Sequence, residues 1–155
     1  MSPNPTATLI DGRTWRYART FELTAGELWP YVAHSDKTAL WFGPFEGDPQ
    51  TGEVAVTMVA EEPGPPMVVK IVECVPEQRI LLDTGMWELE LQVADGEVAL
   101  LHAVDNAEEA ASIGPGWEFY LDRLAAAVRG DDVASIDFEK DYFPAMSQYF
   151  SSAYR

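Results

Sequence analysis

The sequence predicts an α+β fold in which a curved antiparallel sheet of about six strands wraps around one long C-terminal helix. Three observations carry this reading. One strand-like segment comes first, then two short helical segments, then a run of strands from Glu53 to Val104, then an amphipathic helix from about Pro115 to Arg129. Trp87, Leu89, Leu91 and Val93 alternate with Glu88, Glu90 and Gln92, the period of a half-buried strand. Asp95-Gly96 is a two-residue hairpin signal that sets the register of the strand after it. Strands in this order can close over the helix and leave a hollow beside it.

Met1 to Asp11 is polar and proline-bearing, and residues 1–12 are expected to be flexible. Arg13 to Leu23 alternates around Trp15, Tyr17 and Phe21 as the first strand. Thr24 and Glu27 form a capping box for a short helix through Leu28, Trp29 and Val32, with Pro30 in its first turns. Ser35 or Asp36 caps a second short helix that carries Leu40, Trp41 and Phe42 and stops at Gly43-Pro44. Val54, Val56 and Met58 mark the second strand, and Glu61 to Pro66 is a loop. Met67–Val75 and Arg79–Asp83 form a hairpin around Pro76-Glu77. Its inward face is ambiguous, because Val68-Val69 and Ile71-Val72 are adjacent apolar pairs.

The Asp95-Gly96 turn pairs Ala94 with Glu97. Val93 then faces Val98, Leu91 faces Leu100, Leu89 faces His102 and Trp87 faces Val104. Opposed residues share a face, so His102 points to the apolar side. Asp105 to Gly114 reads as a connection, with Ser112 capping the long helix and Pro115 in its first turn. Trp117, Tyr120, Leu121, Leu124 and Val128 form the apolar stripe, and Gly130 ends the helix. The main domain is therefore 13–130, followed by a C-terminal helical extension, 131–155. There the aromatic residues Tyr142, Phe143, Tyr149, Phe150 and Tyr154 either pack back on the domain or join a homodimer contact.

The net charge is −16, and residues 46–109 carry fifteen acids against only Lys70 and Arg79. Phosphate backbones and anionic membrane surfaces repel such a face, so neither nucleic acid nor membrane is expected as a partner. The N-terminus carries no cationic leader and no stretch is long enough to span a bilayer, which reads as a cytoplasmic protein. Low lysine and high alanine and acid content suit a bacterium of high genomic GC content. Cys74 stands alone, in an apolar strand, as a small core residue.

The run Ala39-Leu40-Trp41-Phe42-Gly43-Pro44 after two short helices resembles a recurrent motif of the START-like, or SRPBCC, superfamily. Val72 to Leu82, centred on Pro76-Glu77-Gln78-Arg79, resembles its third and fourth strands. His102 followed by Gly116-Trp117 and Leu121-Asp122-Arg123-Leu124 resembles its last strand and helix. The similarity covers residues 13 to 130 and is strongest to the branch named after activators of a heat-shock chaperone ATPase. The resemblance implies a helix-grip fold with a cavity between sheet and helix. Members bind lipids, hormones or polyketides, and a few are cyclases, aromatases or hydrolases.

The candidate pocket follows from these elements. Trp41, Phe42 and Phe45 lie near its mouth, Met58, Trp87, Leu89 and His102 line the sheet, and Trp117, Tyr120, Leu121 and Leu124 form the helix wall. The expected function is binding of an apolar or aromatic small molecule. The alternatives are a cyclase- or hydrolase-type enzyme using His102 as acid or base, and a chaperone-accessory or protein-interaction role. The plainer readings are that His102 is a core histidine bonded to a neighbouring side chain or backbone, and that His34 is a helix-end cation. Two histidines and one cysteine without ligand spacing predict no metal. No cofactor motif is present: Gly114-Pro115-Gly116 lacks the lysine of a phosphate loop. Glu61-Glu62 and Glu108-Glu109 read as solvated loop charges, and Glu88 and Glu90 as exposed.

Overall fold

The structure, a computed structural model, describes residues 7–10, 13–57, 65–85, 87–104, 106–138, 142 and 146–152. Among these, the strands are β1 (Thr8–Leu9), β2 (Thr14–Thr20), β3 (Phe45–Glu46), β4 (Glu53–Val56), β5 (Met67–Val75), β6 (Arg79–Asp83), β7 (Glu88–Ala94) and β8 (Glu97–Ala103). They form one curved sheet in the order β1-β2-β8-β7-β6-β5-β4-β3, with each neighbouring pair antiparallel. The six expected strands are present. The two additional ones are the two-residue edges β1 and β3, too short to leave a periodic signal. Thr8 and Leu9, placed by the sequence in a flexible segment, pair with Arg16 and Trp15.

The β7–β8 hairpin has the expected register: Ala94 faces Glu97, Val93 faces Val98, Leu91 faces Leu100 and Leu89 faces His102. Gly96 takes φ 82°, which a side chain would resist. Trp87 falls just before the ladder, so its pairing with Val104 does not form. In the β5–β6 hairpin a bulge between Ile71 and Glu73 leaves Val72 unpaired and 67% exposed. The bulge resolves the ambiguity of the adjacent apolar pairs, because it lets Val69, Ile71 and Cys74 all reach the inner face.

Thr24 and Glu27 make the expected capping box at α1 (Ala25–Leu28). Pro30 starts a separate turn of helix, α2 (Pro30–Ala33), rather than sitting within α1. The next helix, α3 (Ser35–Thr38), is capped neither by Ser35 nor by Asp36. His34 occupies its N-cap without a side-chain bond, and Ser35 Oγ instead accepts from the backbone N–H of Phe45 at 2.8 Å. Leu40, Trp41 and Phe42 follow α3 in turns closed on Thr38 and Lys37.

The long helix α4 runs from Ala107 to Arg129, eight residues longer at its start than the sequence predicts. Asn106, not Ser112, is the cap, accepting from the N–H of Glu109 at 2.8 Å. Glu108 and Glu109 thus sit in the first turn, where the helix dipole favours them, rather than in a loop. Gly114-Pro115-Gly116 lies inside the helix, and two contacts explain why it survives there. Proline at 115 cannot bond the carbonyl of Ala111, and Ser147 Oγ donates to that oxygen at 3.0 Å. A Cβ on Gly114 would stand 2.5 Å from the ring of Phe150. The two helix-breaking residues form a seat for α5 (Ser147–Ser152).

The core lies between α4 and the inner sheet face. Trp15, Tyr17, Leu28, Val98, Leu121, Leu124 and Phe150 are all fully buried, each contributing about 1.5–3 kcal/mol or more. The aromatic extension packs on its own domain: Tyr142, Met146 and Phe150 are buried, while Tyr149 remains 43% exposed. Phe143, Pro144, Ala153 and Tyr154 lie outside the described residues.

Candidate functional site

His102 is 1% exposed on the inner face of β8. The indole N–H of Trp117, projecting from α4, donates to its Nδ1 at 2.9 Å. An indole nitrogen can only donate, so Nδ1 carries no proton and the neutral ring holds its hydrogen on Nε2. That Nε2 has no partner among the described residues. Trp87 flanks the ring at 5.1 Å between centroids, and Leu89 lies directly across the ladder. Burial holds the His102 pKa down to about 4. Protonating Nδ1 would also set two donors against each other at the Trp117 contact.

Aromatic rings extend the site away from His102. Trp117 lies 6.3 Å from the imidazole, and Phe42 is near-parallel to Trp117 at 6.2 Å and 16°. Tyr120 meets Phe42 edge-on at 5.0 Å, and Trp41 meets it at 5.6 Å. Trp41, Phe42, Trp87, His102, Trp117 and Tyr120 therefore form one continuous wall. Phe42, Trp87 and Trp117 are half-buried, whereas His102 is covered. The turns fix these positions. Thr84 N–H donates to the Trp87 carbonyl at 2.9 Å, and Trp87 N–H donates to Thr84 Oγ1 at 3.1 Å. Trp41 Nε1 donates to the Tyr31 carbonyl at 2.7 Å, and Arg123 Nε donates to the Trp41 carbonyl at 2.9 Å.

The other expected pocket residues divide. Phe45 joins a smaller cluster with Val54, Val56 and Val69, which touches the wall through Phe42. Leu121 and Leu124 are entirely buried in the main core. Met58 lies outside the described residues. Sequence reasoning missed Arg123, which no periodicity distinguishes from a surface cation. Its guanidinium also covers the Phe119 ring at 5.5 Å.

Elsewhere the chemistry is sparse. Burial, and then Asp48, push the Cys74 thiol up, and Gln50 Nε2 donates to its sulfur at 3.4 Å. His34 is exposed between α2 and α3. Among the described residues, no three His, Cys, Asp or Glu side chains group as metal ligands would. No described helix is long and apolar enough to cross a membrane. Near the β7–β8 turn, Gln78, Arg79, Glu90, Gln92, Val93, Ala94 and Glu97 line an open groove of mixed character, about 350 Å3 in volume. Glu88 is exposed, as expected, while Glu90 is half-buried and accepts from Gln92 Nε2.

The burial of His102 makes stability pH-dependent. An unfolded chain binds a proton at this residue below about pH 6.5, and the folded chain binds it only near pH 4. Stability from this group is full above pH 6.5 and declines as pH falls through the window from 6.5 to 4. The gap is worth about 3 kcal/mol. Urea unfolding from pH 4 to 7 should show this slope in the wild type. A His102→Gln variant, which keeps an acceptor for Trp117, should lack this part of it; equal slopes would refute the burial effect.

The fold is the helix-grip fold: a curved antiparallel sheet closed on a long helix near the C-terminal end. No protein-family model and no curated protein matches the chain. Solved structures do. CalU16 from Micromonospora echinospora is 20% identical in its crystal structure, with 96% of this chain and 91% of that chain covered and a TM-score of 0.62. Its solution structure gives 21% identity, 96% and 89% coverage, and a TM-score of 0.67. A conserved Enterococcus faecalis protein of unknown function, EF2215, is 12% identical over 95% of this chain and 88% of that one, with a TM-score of 0.68. DynU16, of the dynemicin biosynthetic locus, is 16% identical over 76% of this chain and 48% of that one, with a TM-score of 0.61. At these identities the likeness is one of fold.

Proposed function

We propose that the protein binds an apolar, aromatic small molecule at the wall running from Trp41 to Trp87, with His102 as the polar anchor. The observation that carries this is the covered Nε2–H of His102. An unsatisfied buried donor costs about 1–3 kcal/mol, and a ligand oxygen placed there removes the penalty. Half-buried rings beside one orienting polar group are the usual make-up of a small-molecule site. A structural neighbour from a biosynthetic locus is in keeping with such a role. The wider kinship we propose is to the START-like superfamily, with the chaperone-activator branch as its finer placing, on the motifs at 39–44, 72–82 and 116–124.

The geometry favours binding over acid–base catalysis. With Nδ1 engaged and Nε2 already protonated, His102 has no nitrogen free to take a proton, and a ring of pKa about 4 has none to give at neutral pH. A cytoplasmic location remains part of the proposal. The burial of Tyr142 and Phe150 in their own domain counts against a homodimer built on the tail, and of these two and Tyr149 only Tyr149, 43% exposed, would be free to contribute area.

Thermal denaturation with a panel of flat aromatics and lipids should find ligands that raise Tm. A ligand at a hundred times its Kd adds about 2.7 kcal/mol. Native mass spectrometry of protein purified from cells gives a second reading. A panel without a single shift, together with no co-purifying mass, would sink the binding role.

A further inference from the structure

We propose that His102 makes the site selective for ligands presenting a neutral oxygen acceptor, an aryl ketone or related carbonyl, and that Trp117 sets this selectivity by fixing the tautomer. The proposal rests on the small-molecule reading above and names its ligand class.

Trp117 Nε1–H lies 2.9 Å from His102 Nδ1 and has no acceptor capacity. The imidazole of a solvated histidine exchanges its proton between nitrogens. This one cannot do so without placing two donors face to face. The free end of the ring is therefore always a donor, and it is buried. A ligand amine or amide N–H at that point meets another N–H and leaves both unpaired. A hydrocarbon leaves one unpaired. A carbonyl oxygen leaves none.

Charge narrows the class further. The described groups against the ring are Trp87, Trp117 and its two ladder partners, Leu89 and Trp15, and none of these four carries a charge. The nearest cation on α4 is Arg123, six residues or about 9 Å along the helix axis from Trp117, and its Nε is held by the Trp41 carbonyl. A carboxylate at His102 would be desolvated without a counter-charge. An imidazolium could have supplied one, but the Trp117 N–H blocks the second proton. The neutral acceptor is the ligand that fits.

The test uses the full chain and three compounds of similar shape: fluorenone, fluorene and fluorene-9-carboxylate. Affinities come from tryptophan-fluorescence titration at pH 7. The wild type should bind fluorenone at least about tenfold more tightly than either of the others, the size of effect one satisfied buried donor gives. His102→Phe should bring the fluorenone-to-fluorene ratio to about one. Equal affinity of the wild type for all three overturns the selectivity while leaving the binding role intact. No binding of any of them overturns the proposed ligand class, and the binding role then stands or falls on the wider panel and the co-purifying mass.

A ligand-free readout stands beside this. A long-range proton–nitrogen correlation spectrum of the wild type should show His102 as the Nε2-protonated tautomer, and Trp117→Phe should release a mixture. An Nδ1-protonated ring or an imidazolium at pH 7 in the wild type overturns the proposal whatever the ligands do. So does a single unchanged tautomer in Trp117→Phe. That variant also serves if His102→Phe does not fold.

Discussion

Arg19→Met should destabilise the protein by about 3–5 kcal/mol, the usual cost of stripping one partner from a buried ion pair. Arg19 reaches from β2 to α4. Its Nε donates to Asp122 Oδ1 at 2.8 Å and its Nη2 to Glu118 Oε1 at 2.9 Å, with further bonds to the carbonyls of Ala18 and Glu118. Its side chain is 10% exposed and that of Glu118 is 0% exposed. Burial opposes the charge on Arg19; Asp122 and Glu118 more than offset that and raise its pKa above the usual value. Without the guanidinium, two carboxylates one helical turn apart face each other, and one has no water. Urea unfolding of Arg19→Met measures the loss. Adding Glu118→Gln to that background should restore a large part of it, because the second change removes the stranded charge. A loss under about 1 kcal/mol, or no recovery in the double variant, would show that Glu118 is not charged and enclosed as described.

Phe150→Ala should cost about 3–5 kcal/mol by the same assay. Its ring is fully buried, packed edge-on to Trp15 at 4.8 Å and set where Gly114 has no side chain. Gly114→Ala acts on the same contact from the opposite side. A methyl 2.5 to 2.6 Å from three ring carbons forces the ring out, a cost of about 1–3 kcal/mol. The two changes together should cost clearly less than their sum, since the alanine methyl occupies space the lost ring vacates. Strict additivity would mean that the helix and the ring do not meet.

These two contacts also mark where sequence reading stops. The β7–β8 hairpin was legible, down to the inward direction of His102, because a two-residue turn dictates register and register dictates face. The capping box at Thr24 was legible for the same reason, being entirely local. The start of α4 was not. Gly114-Pro115-Gly116 has the local character of a break, and its tolerance depends on Ser147 and Phe150, over thirty residues away. The bulge at Val72 shows in the sequence only as broken alternation at Ile71-Val72, and a second such pair at Val68-Val69 without a bulge hides its position. In the site, the aromatic residues could be gathered by face, but the Trp117–His102 bond could not. It needs the rotation of α4 about its axis, which packing alone sets. Leu121 and Leu124 share the stripe of Trp117 and Tyr120, yet that rotation sends them into the core.

Ala7 donates its N–H to Glu118 Oε2 at 3.0 Å, and its carbonyl accepts from the Tyr149 hydroxyl at 2.6 Å. Tyr142 donates to Asp122 Oδ2 at 2.6 Å. A polypeptide cut back to residues 13–130 would keep every long strand and all of α4. It would also bare an enclosed carboxylate, a helix carbonyl opposite proline and a slot shaped for a phenyl ring. The limits that look natural along the chain run through the fastenings of the fold, and trimming to them would yield a looser, stickier molecule rather than a minimal one.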